Sequence, residues 1–423
     1  MSTADLPLAD WLQRLETLHP TDIELGLDRI STVLDRLELT FDASVFHVAG
    51  TNGKGSSVAM LDAILREAGV RTGCYTSPHV IHYNERIAVD GQFATDAEIV
   101  AAFERVEAAR NDVSLTYFEF GTLAAVVIFA DAGVDTMILE IGMGGRLDAV
   151  NAVEPTAGLI TNISLDHCDW LGNDIEAIAF EKAGIMRAGK PVIFGSHESP
   201  RTINSHATDI GAVLSMAGRD FDWRIDGDHW HWQGQGTAVD GLEWPALAGE
   251  HQVGNAAGVL ALIEAAGVGE VLDASLVNSA LRNLSLEGRV QVLDREARWI
   301  LDVAHNQAAA AVLGKTLRLI ENGGTTVAIL GMLDDKDVEG AVAEIADEVD
   351  QWIAVTADSP RAIDADELGR RVSNVTNKGC LVAHSLDSAL QRAEEVTGSG
   401  DRVLVTGSFY LVGPALNQLY SRR

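Results

Sequence analysis

Apolar and polar positions along this chain fall into blocks that predict strands followed by helices. The short apolar run Val45-Phe46-His47-Val48-Ala49 leads through a glycine-rich turn into a helical pattern, Ser57 to Ala68. Comparable runs recur at Gly73 to Thr76, Thr136 to Ile141, Leu159 to Ile163 and Pro191 to Phe194, mostly with helical stretches between them. Strand and helix in alternation predict a parallel sheet covered on both faces. Phe221 to Leu242 breaks the rhythm. It is rich in Trp and Gly with alternating polar positions, which predicts antiparallel strands appended to that sheet. A helix over Val253 to Ala266 closes this half.

The rhythm restarts near Arg289, with strands expected at Val290 to Leu293, Trp299 to Val303, Thr326 to Leu330, Trp352 to Thr356 and Val403 to Thr406. The expected fold class is therefore α/β. An N-terminal phosphate-loop domain, residues 1–285, has a parallel sheet and a small antiparallel addition. A smaller Rossmann-like C-terminal domain spans residues 286–423, with the boundary in Asn283 to Glu287.

A length of 423 residues agrees with two domains rather than one. No uninterrupted apolar run approaches the roughly 20 residues of a membrane span. Met1 to Asp10 lacks the basic flank and apolar core of a secretory signal. Cys74, Cys168 and Cys380 are far apart and odd in number, which argues against a disulfide framework and for a reducing cytoplasm. Lys plus Arg is 31 against 62 acids, a formal net charge of -31. Such a surface repels nucleic acid and anionic membranes, so neither is expected as a partner. A salty habitat and lineage bias account for the acidity equally well. With six lysines in the chain (Lys54, Lys182, Lys190, Lys315, Lys336 and Lys378), each one invites a question.

Lys54 lies in Gly50-Thr51-Asn52-Gly53-Lys54-Gly55-Ser56, between a predicted strand and a predicted helix. Small residues there let backbone N–H groups approach phosphate oxygens, Lys54 supplies charge, and the Ser56 hydroxyl suits a magnesium ion. The loop is a short form, since position 48 is Val where the ordinary spacing has Gly. The competing reading is a glycine turn with an incidental lysine. Glu140 sits inside the run Met137 to Ile141, near the C-terminal end of a predicted strand, and Asp166-His167 follows the strand Leu159 to Ile163. Strand ends of open parallel sheets form the ligand rim, and a buried carboxylate there calls for a cation. Lys182 falls on the apolar face set by Ile175, Ile178, Ala179 and Met186. It either snorkels outward or has its charge removed or paired within a site. In the second half, Arg289, Asp302, His305-Asn306 and Ser408 flank strands in the same manner.

These motifs together resemble bacterial folylpolyglutamate synthases of the bifunctional dihydrofolate synthase type, within the Mur ligase superfamily. The resemblance covers nearly the whole chain. It runs through HPTDIELGL (19–27), HVAGTNGKGS (47–56), TSPHVIHYNER (76–86), LTYFEFGT (115–122), LEIGMGGRLDAVN (139–151), LDHCDWLG (165–172) and EKAGI (181–185). It continues with DVAHN (302–306), GMLDDKD (331–337) and Gly407-Ser408-Phe409. The loop ends in Ser56 where the family often has Thr, and His305-Asn306 precede Gln307 where the family usually has Pro.

Carried over position by position, the resemblance implies that Gly53, Lys54, Gly55 and Ser56 bind ATP with Asn255, Arg289 and Asp302. Ser77, Glu140 and His167, with Ser56, would hold magnesium, two ions in all. Lys182 matches a lysine carbamylated by CO2 in this family, an anionic group able to ligate metal. The pterin or folate would meet Asp22, Ile23, Glu24, Leu25, Phe118, Glu119, Phe120, Gly121, Leu147, Asp148 and Ala149. L-Glutamate would meet His305, Ser408 and Arg86, while Arg86, Arg146 and Arg289 would attract anionic substrates. Lys54, Lys182, His167 and His305 would carry the catalysis.

The implied reaction joins L-glutamate to dihydropteroate, and to the γ-carboxylate of reduced folates, through an acyl phosphate made from ATP. The implied enzyme is a cytoplasmic monomer. A monofunctional folylpolyglutamate synthase is the nearest alternative. A cell-wall Mur ligase would need an N-terminal UDP-sugar domain for which 50 residues leave little room. A phosphate-loop ATPase or kinase leaves Lys182 and the pterin-side motifs unexplained.

Overall fold

The structure is a computed structural model that describes residues 6–21, 23–320 and 323–422. Asp22, expected on the pterin side, lies outside the described residues. The chain divides into two compact units. The first takes the residues up to Ile163, then Asn173–Pro245 and Val253–Leu284. The second takes Ser164–Gly172, Ala246–Gln252 and the chain from Ser285 onward. The segment carrying Asp166 and His167 thus belongs with the second unit.

In the first unit the strands are β1 (Ser44–Ala49), β2 (Thr72–Tyr75), β3 (Ile87–Val89), β4 (Gln92–Phe93), β5 (Thr136–Glu140), β6 (Ala157–Ile160), β7 (Pro191–Phe194) and β8 (Val213–Met216). They form one eight-stranded sheet in the order β4-β3-β2-β5-β1-β6-β7-β8. All strands from β2 to β8 in that order pair in parallel, while β3 and β4 add an antiparallel edge. Central β1 is buried from Val45 to Ala49, which explains why it reads as a mostly apolar run, broken only by the buried His47, rather than an alternating one. Its register sets Val48 beside Glu140 of β5. The loops leaving β1, β2, β5 and β6 therefore share one rim.

The helix Tyr117–Ala132 is buried from Glu119 to Phe129, as expected of a segment apolar on every side. Its start is fixed by a capping box: Thr116 Oγ1 accepts from the Glu119 amide and Glu119 Oε2 accepts from the Thr116 amide.

The Trp-rich stretch departs from expectation. β9 (Asp222–Asp226), β10 (His229–Gln233) and β11 (Ala238–Glu243) form their own three-stranded antiparallel sheet and extend no edge of the larger one. Alternation supplies the reason: Trp230 and Trp232 are fully buried on one face, and His229 and Gln233 are exposed. The Trp232 indole N–H reaches the Ala257 carbonyl on the helix His251–Ala265, so this face packs on a helix.

The second unit is a six-stranded sheet of β12 (Gln291–Asp294), β13 (Arg298–Asp302), β14 (Thr326–Leu330), β15 (Gln351–Val355), β16 (Cys380–Ala383) and β17 (Arg402–Thr406). The order is β12-β13-β17-β14-β15-β16, with only β12 antiparallel. Asp302, Thr406 and Leu330 lie side by side in register at the ends of β13, β17 and β14. The stretches that follow them meet on one rim.

Candidate active site

In the first unit the loop Gly50–Gly53 joins β1 to the helix Lys54–Glu67. It is stitched to the residues after β6. The Thr161 hydroxyl donates to the Asn52 carbonyl (2.6 Å), the Asn162 amide group donates to the same oxygen (2.9 Å), and the Thr51 N–H donates to the Asn162 carbonyl (2.9 Å). Two glycines here are obligatory. A Cβ on Gly50, at φ +144°, would lie 1.8 Å from Thr161 Oγ1, and one on Gly53, at φ +83°, would lie 2.6 Å from Asn255 Oδ1. Asn255, which the resemblance implies in nucleotide binding, therefore sits against this loop.

Both lysines of interest converge on this loop. Lys54 Nζ donates to the carbonyls of Gly50 (3.2 Å) and Thr51 (3.1 Å). Lys182, on the helix Ile175–Ala183 and only 4% exposed, donates to the Gly50 carbonyl at 2.8 Å. The snorkelling reading of Lys182 is thereby excluded. Ser56 is buried on the first turn of the loop's helix, where helix-dipole and amide N–H groups favour an anion. On the same rim the buried Glu140 carboxylate accepts from the Ser77 N–H at 3.0 Å.

The segments expected on the pterin side also come together. Phe118 lies against Tyr75 (ring centroids 5.8 Å), and a Cβ on Gly142 would meet the Phe118 ring at 2.6 Å. Asp148 is buried and accepts from the Met143 and Val150 amides. Burial pushes its carboxyl up to about 6, against the pull of those amides and of Lys54. The Gly26 N–H donates to the Leu147 carbonyl, which brings the N-terminal segment onto Leu147–Ala149. Arg86, expected with glutamate, is buried in the first unit: its Nε donates to His79 and its guanidinium lies 5.4 Å from the Tyr83 ring and 5.5 Å from Tyr117.

Arg289, Asp302, His305 and Ser408 lie in the second unit. Asp302 is buried, with its oxygens accepting from the Val290 (2.9 Å) and Ala304 (2.8 Å) amides. Burial raises its pKa, and the adjacent Arg289 works against that rise. Val290 has φ +46°, a costly conformation for a β-branched residue, and the Asp302 carboxylate holds its amide there. Arg289 lies 5.1 Å from the Phe409 ring, and His305 stands 6.1 Å from the same ring. Ser408 caps the helix Phe409–Ser421 by accepting from the Tyr410 amide.

Asp166 is readable as a strand-end residue, but the node it builds with Lys336 and Asn306 escaped sequence reasoning. Its Oδ1 binds Lys336 Nζ at 2.6 Å, while Oδ2 accepts from the Asn306 side chain (3.0 Å) and faces His305 Nε2 (3.4 Å) and, farther off, His167 Nε2 (3.9 Å). Burial pushes the Asp166 carboxyl up. The hydrogen bond and charge of His305, then His167 and Lys336, outweigh it and hold the group far below the ordinary carboxylate range. The available signal was Lys336 itself, a rare lysine in this chain within GMLDDKD.

Among the described residues no three His, Cys, Asp or Glu side chains form a ready-made metal cage. The oxygen donors of the first unit's rim (the Glu140 carboxylate with the Ser56 and Ser77 hydroxyls) fit a hard divalent cation that takes its other ligands from phosphate and water.

The comparisons agree with this geometry. The sequence model of the Mur ligase middle domain matches residues 48–263, and that of the Mur ligase glutamate ligase domain matches residues 288–409. The dihydrofolate synthase/folylpolyglutamate synthase of Escherichia coli K12 is 40% identical over 99% of this chain and 96% of its own length. The structure of E. coli FolC in complex with DHPP and ADP superposes with a TM-score of 0.93 at 38% identity, covering 100% of each chain. A bifunctional folylpolyglutamate synthase/dihydrofolate synthase with Mn, AMPPNP and L-glutamate bound gives 0.91 at 39% identity, covering 99% of each. With its phosphate loop, its buried rim lysine and this full-length similarity, the chain belongs to the dihydrofolate synthase/folylpolyglutamate synthase family of Mur ligases.

Proposed function

We propose that this protein is an ATP-dependent ligase that adds L-glutamate to dihydropteroate and to the γ-carboxylate of reduced folates. The observation that carries the reading is the loop Gly50–Ser56 with Lys54 and Lys182 folded onto it, beside a pterin-side wall of Phe118, Gly142 and Asp148. ATP and a divalent metal serve the reaction, as the nucleotide and Mn in the structures of relatives support. The finer reading is magnesium, held by Ser56, Ser77, Glu140 and His167, with CO2 added to Lys182. In that addition the neutral amine attacks CO2, giving a carbamate and releasing one proton. The product is an anion in place of a buried cation, and a buried cation of this kind is costly.

The loop amides and Lys54 would seat the ATP phosphates, and Asn255, Arg289 and Asp302 would hold the nucleotide. The acceptor carboxylate takes the γ-phosphoryl group, ADP departs, and an acyl phosphate remains. The amine of glutamate, having lost its proton, attacks the acyl carbon. Phosphate leaves and the amide is made. A divalent metal would spread charge on the phosphoryl oxygens. Lys54 would do the same from the loop, and His305 and Ser408 would orient glutamate. No enzyme nucleophile enters the balance, so Cys74, Cys168 and Cys380 need no role. Residues up to 285 form the ATP- and pterin-binding region in this reading, and 286–423 the glutamate-binding region.

The test is phosphate release by purified protein, with each acceptor supplied separately. Release should require ATP, glutamate and an acceptor together, and should occur with dihydropteroate and with a reduced folate. Turnover with folate alone would leave a monofunctional folylpolyglutamate synthase. ATP turnover without glutamate would return the chain to the ATPases.

A further inference from the structure

The pterin-side residues lie on separate stretches of chain, and one arginine outside all of them ties two of these together. Arg29, on the helix Asp28–Arg36, points its guanidinium between Glu24 and Glu119. It pairs with the Glu24 carboxylate, donates to the Glu24 carbonyl at 2.7 Å, and approaches Glu119 with Nε 3.4 Å from Oε2 and NH2 3.2 Å from Oε1. Glu24 is gripped from its other side by His19 Nε2 at 2.9 Å, and His19 Nδ1 in turn meets the Ser114 hydroxyl at 2.8 Å.

The two carboxylates differ in a way that reveals the purpose. The Glu119 side chain is 4% exposed and spends Oε2 on the capping box, so its charge needs a cation nearby. The Glu24 side chain is 48% exposed and would be well solvated without any partner. Ion pairs of so exposed a group add little to stability. Holding Glu24 from two sides therefore serves placement. Only a planar fork with several donors can serve a side-chain carboxylate, a main-chain carbonyl and a second carboxylate at once; a lysine ammonium is a point charge.

We propose that Arg29 is a positioning residue for the pterin-type substrate. By bridging Glu24 and Glu119 it sets Ile23–Leu25 against Phe118–Gly121 in the conformation that receives the pterin. This rests on the reading of those segments as the pterin-contacting surface and assigns their mutual placement to a residue outside them.

Steady-state kinetics of Arg29→Gln, with KM measured for each substrate, test it. The KM for dihydropteroate should rise about tenfold or more, the KM values for ATP and glutamate should stay within about twofold, and kcat should fall much less than kcat/KM. Arg29→Lys should recover part of the loss. In amide hydrogen exchange, dihydropteroate should protect peptides covering Ile23–Leu27 in the wild type and fail to do so at the same concentration in Arg29→Gln. An unchanged KM for dihydropteroate, or all three KM values rising together, would overturn the proposal. Should Arg29→Gln fail to fold, Arg29→Lys, which keeps a charge beside Glu119 but loses the fork, takes its place: a smaller but equally selective rise supports the proposal, and no rise overturns it. A wild type that releases no phosphate with dihydropteroate sinks the functional reading itself, whereas a normal wild type with an unselective Arg29→Gln sinks only the role of Arg29.

Discussion

The two units end their parallel strands in similar rims, yet they employ lysine in opposite ways. In the first, Lys54 and Lys182 donate to main-chain carbonyls of the loop itself. In the second, Lys336 is locked to the Asp166 carboxylate with both side chains 6–7% exposed. At Lys54 the carbonyl dipoles satisfy N–H donors and leave most of the positive charge to act on an incoming anion. A carboxylate consumes that charge and fixes the side chain. The charge of Lys54 stays available on its rim, whereas that of Lys336 is spent on holding its own rim's residues still. Identical residue types at comparable strand ends can thus differ in role because their acceptors differ.

The contrast breaks most visibly at Lys182. Lys182→Ala should lower glutamate-dependent phosphate release on the order of 10³-fold, the scale of losing one preorganised charge-stabilising group. Stability should fall far less in proportion, because Thr161 and Asn162 also hold the loop whose Gly50 carbonyl Lys182 meets. Thermal unfolding and initial rates on the same preparation decide the matter. A variant with normal turnover would remove Lys182 from the chemistry.

The same substitution logic applied to Asp166 should give the reverse balance. Asp166→Asn leaves the buried Lys336 ammonium to the more distant Asp335 carboxylate at 3.6 Å, at a cost of about 3 kcal/mol. Asp166→Asn with Lys336→Met should recover part of that loss, since the poorly paired charge is gone. The pH dependence runs in a definite direction. Asp166 has a folded-state pKa held below its unfolded value of 3.8, so its contribution is present above that value and is lost as acid takes the pH below it. Denaturant unfolding across this window should flatten in the double variant. If Asp166→Asn left stability unchanged, the node would not be the internal lock described above.

How much of this was legible beforehand depends on whether a signal is local. β1, β14 and β7 could be read because a strand buried on both faces is apolar at nearly every position. The edge strand β16 could not, since Cys380-Leu381-Val382-Ala383 is too short and half-exposed to stand out. The Trp-rich strands were readable as antiparallel but not as a separate sheet, because that depends on what the Trp230 and Trp232 face packs against. Lys182 declared itself by breaking an apolar helix face. Asp166 could be read as a strand-end carboxylate but not as the centre of a node, and Arg29 made no mark at all. Their importance lies in partners far along the chain: Lys336 is 170 positions from Asp166, and Glu119 is 90 from Arg29.

The smallest expected effect sharpens the comparison by isolating burial from charge. On the first unit's rim Arg146 pairs with Glu181 at 2.8 Å, immediately before Lys182, and its guanidinium lies 5.6 Å from the Phe180 ring. Geometrically this pair is as good as the one in the second unit. It differs in that Arg146 is 43% exposed where Lys336 is 6% exposed. Water already solvates Arg146, so Arg146→Gln should cost at most about 1 kcal/mol, a shift of no more than about 2–4 °C in melting temperature. What should change is attraction of the anionic acceptor against a chain of net charge -31. A modest rise in its KM is expected, largest in dilute buffer and fading as salt shortens the screening length from about 10 Å at 0.1 M to about 3 Å at 1 M. A loss of stability matching that of Asp166→Asn would show that exposure does not separate the two pairs, and would undo the distinction between a rim that offers charge and one that has spent it.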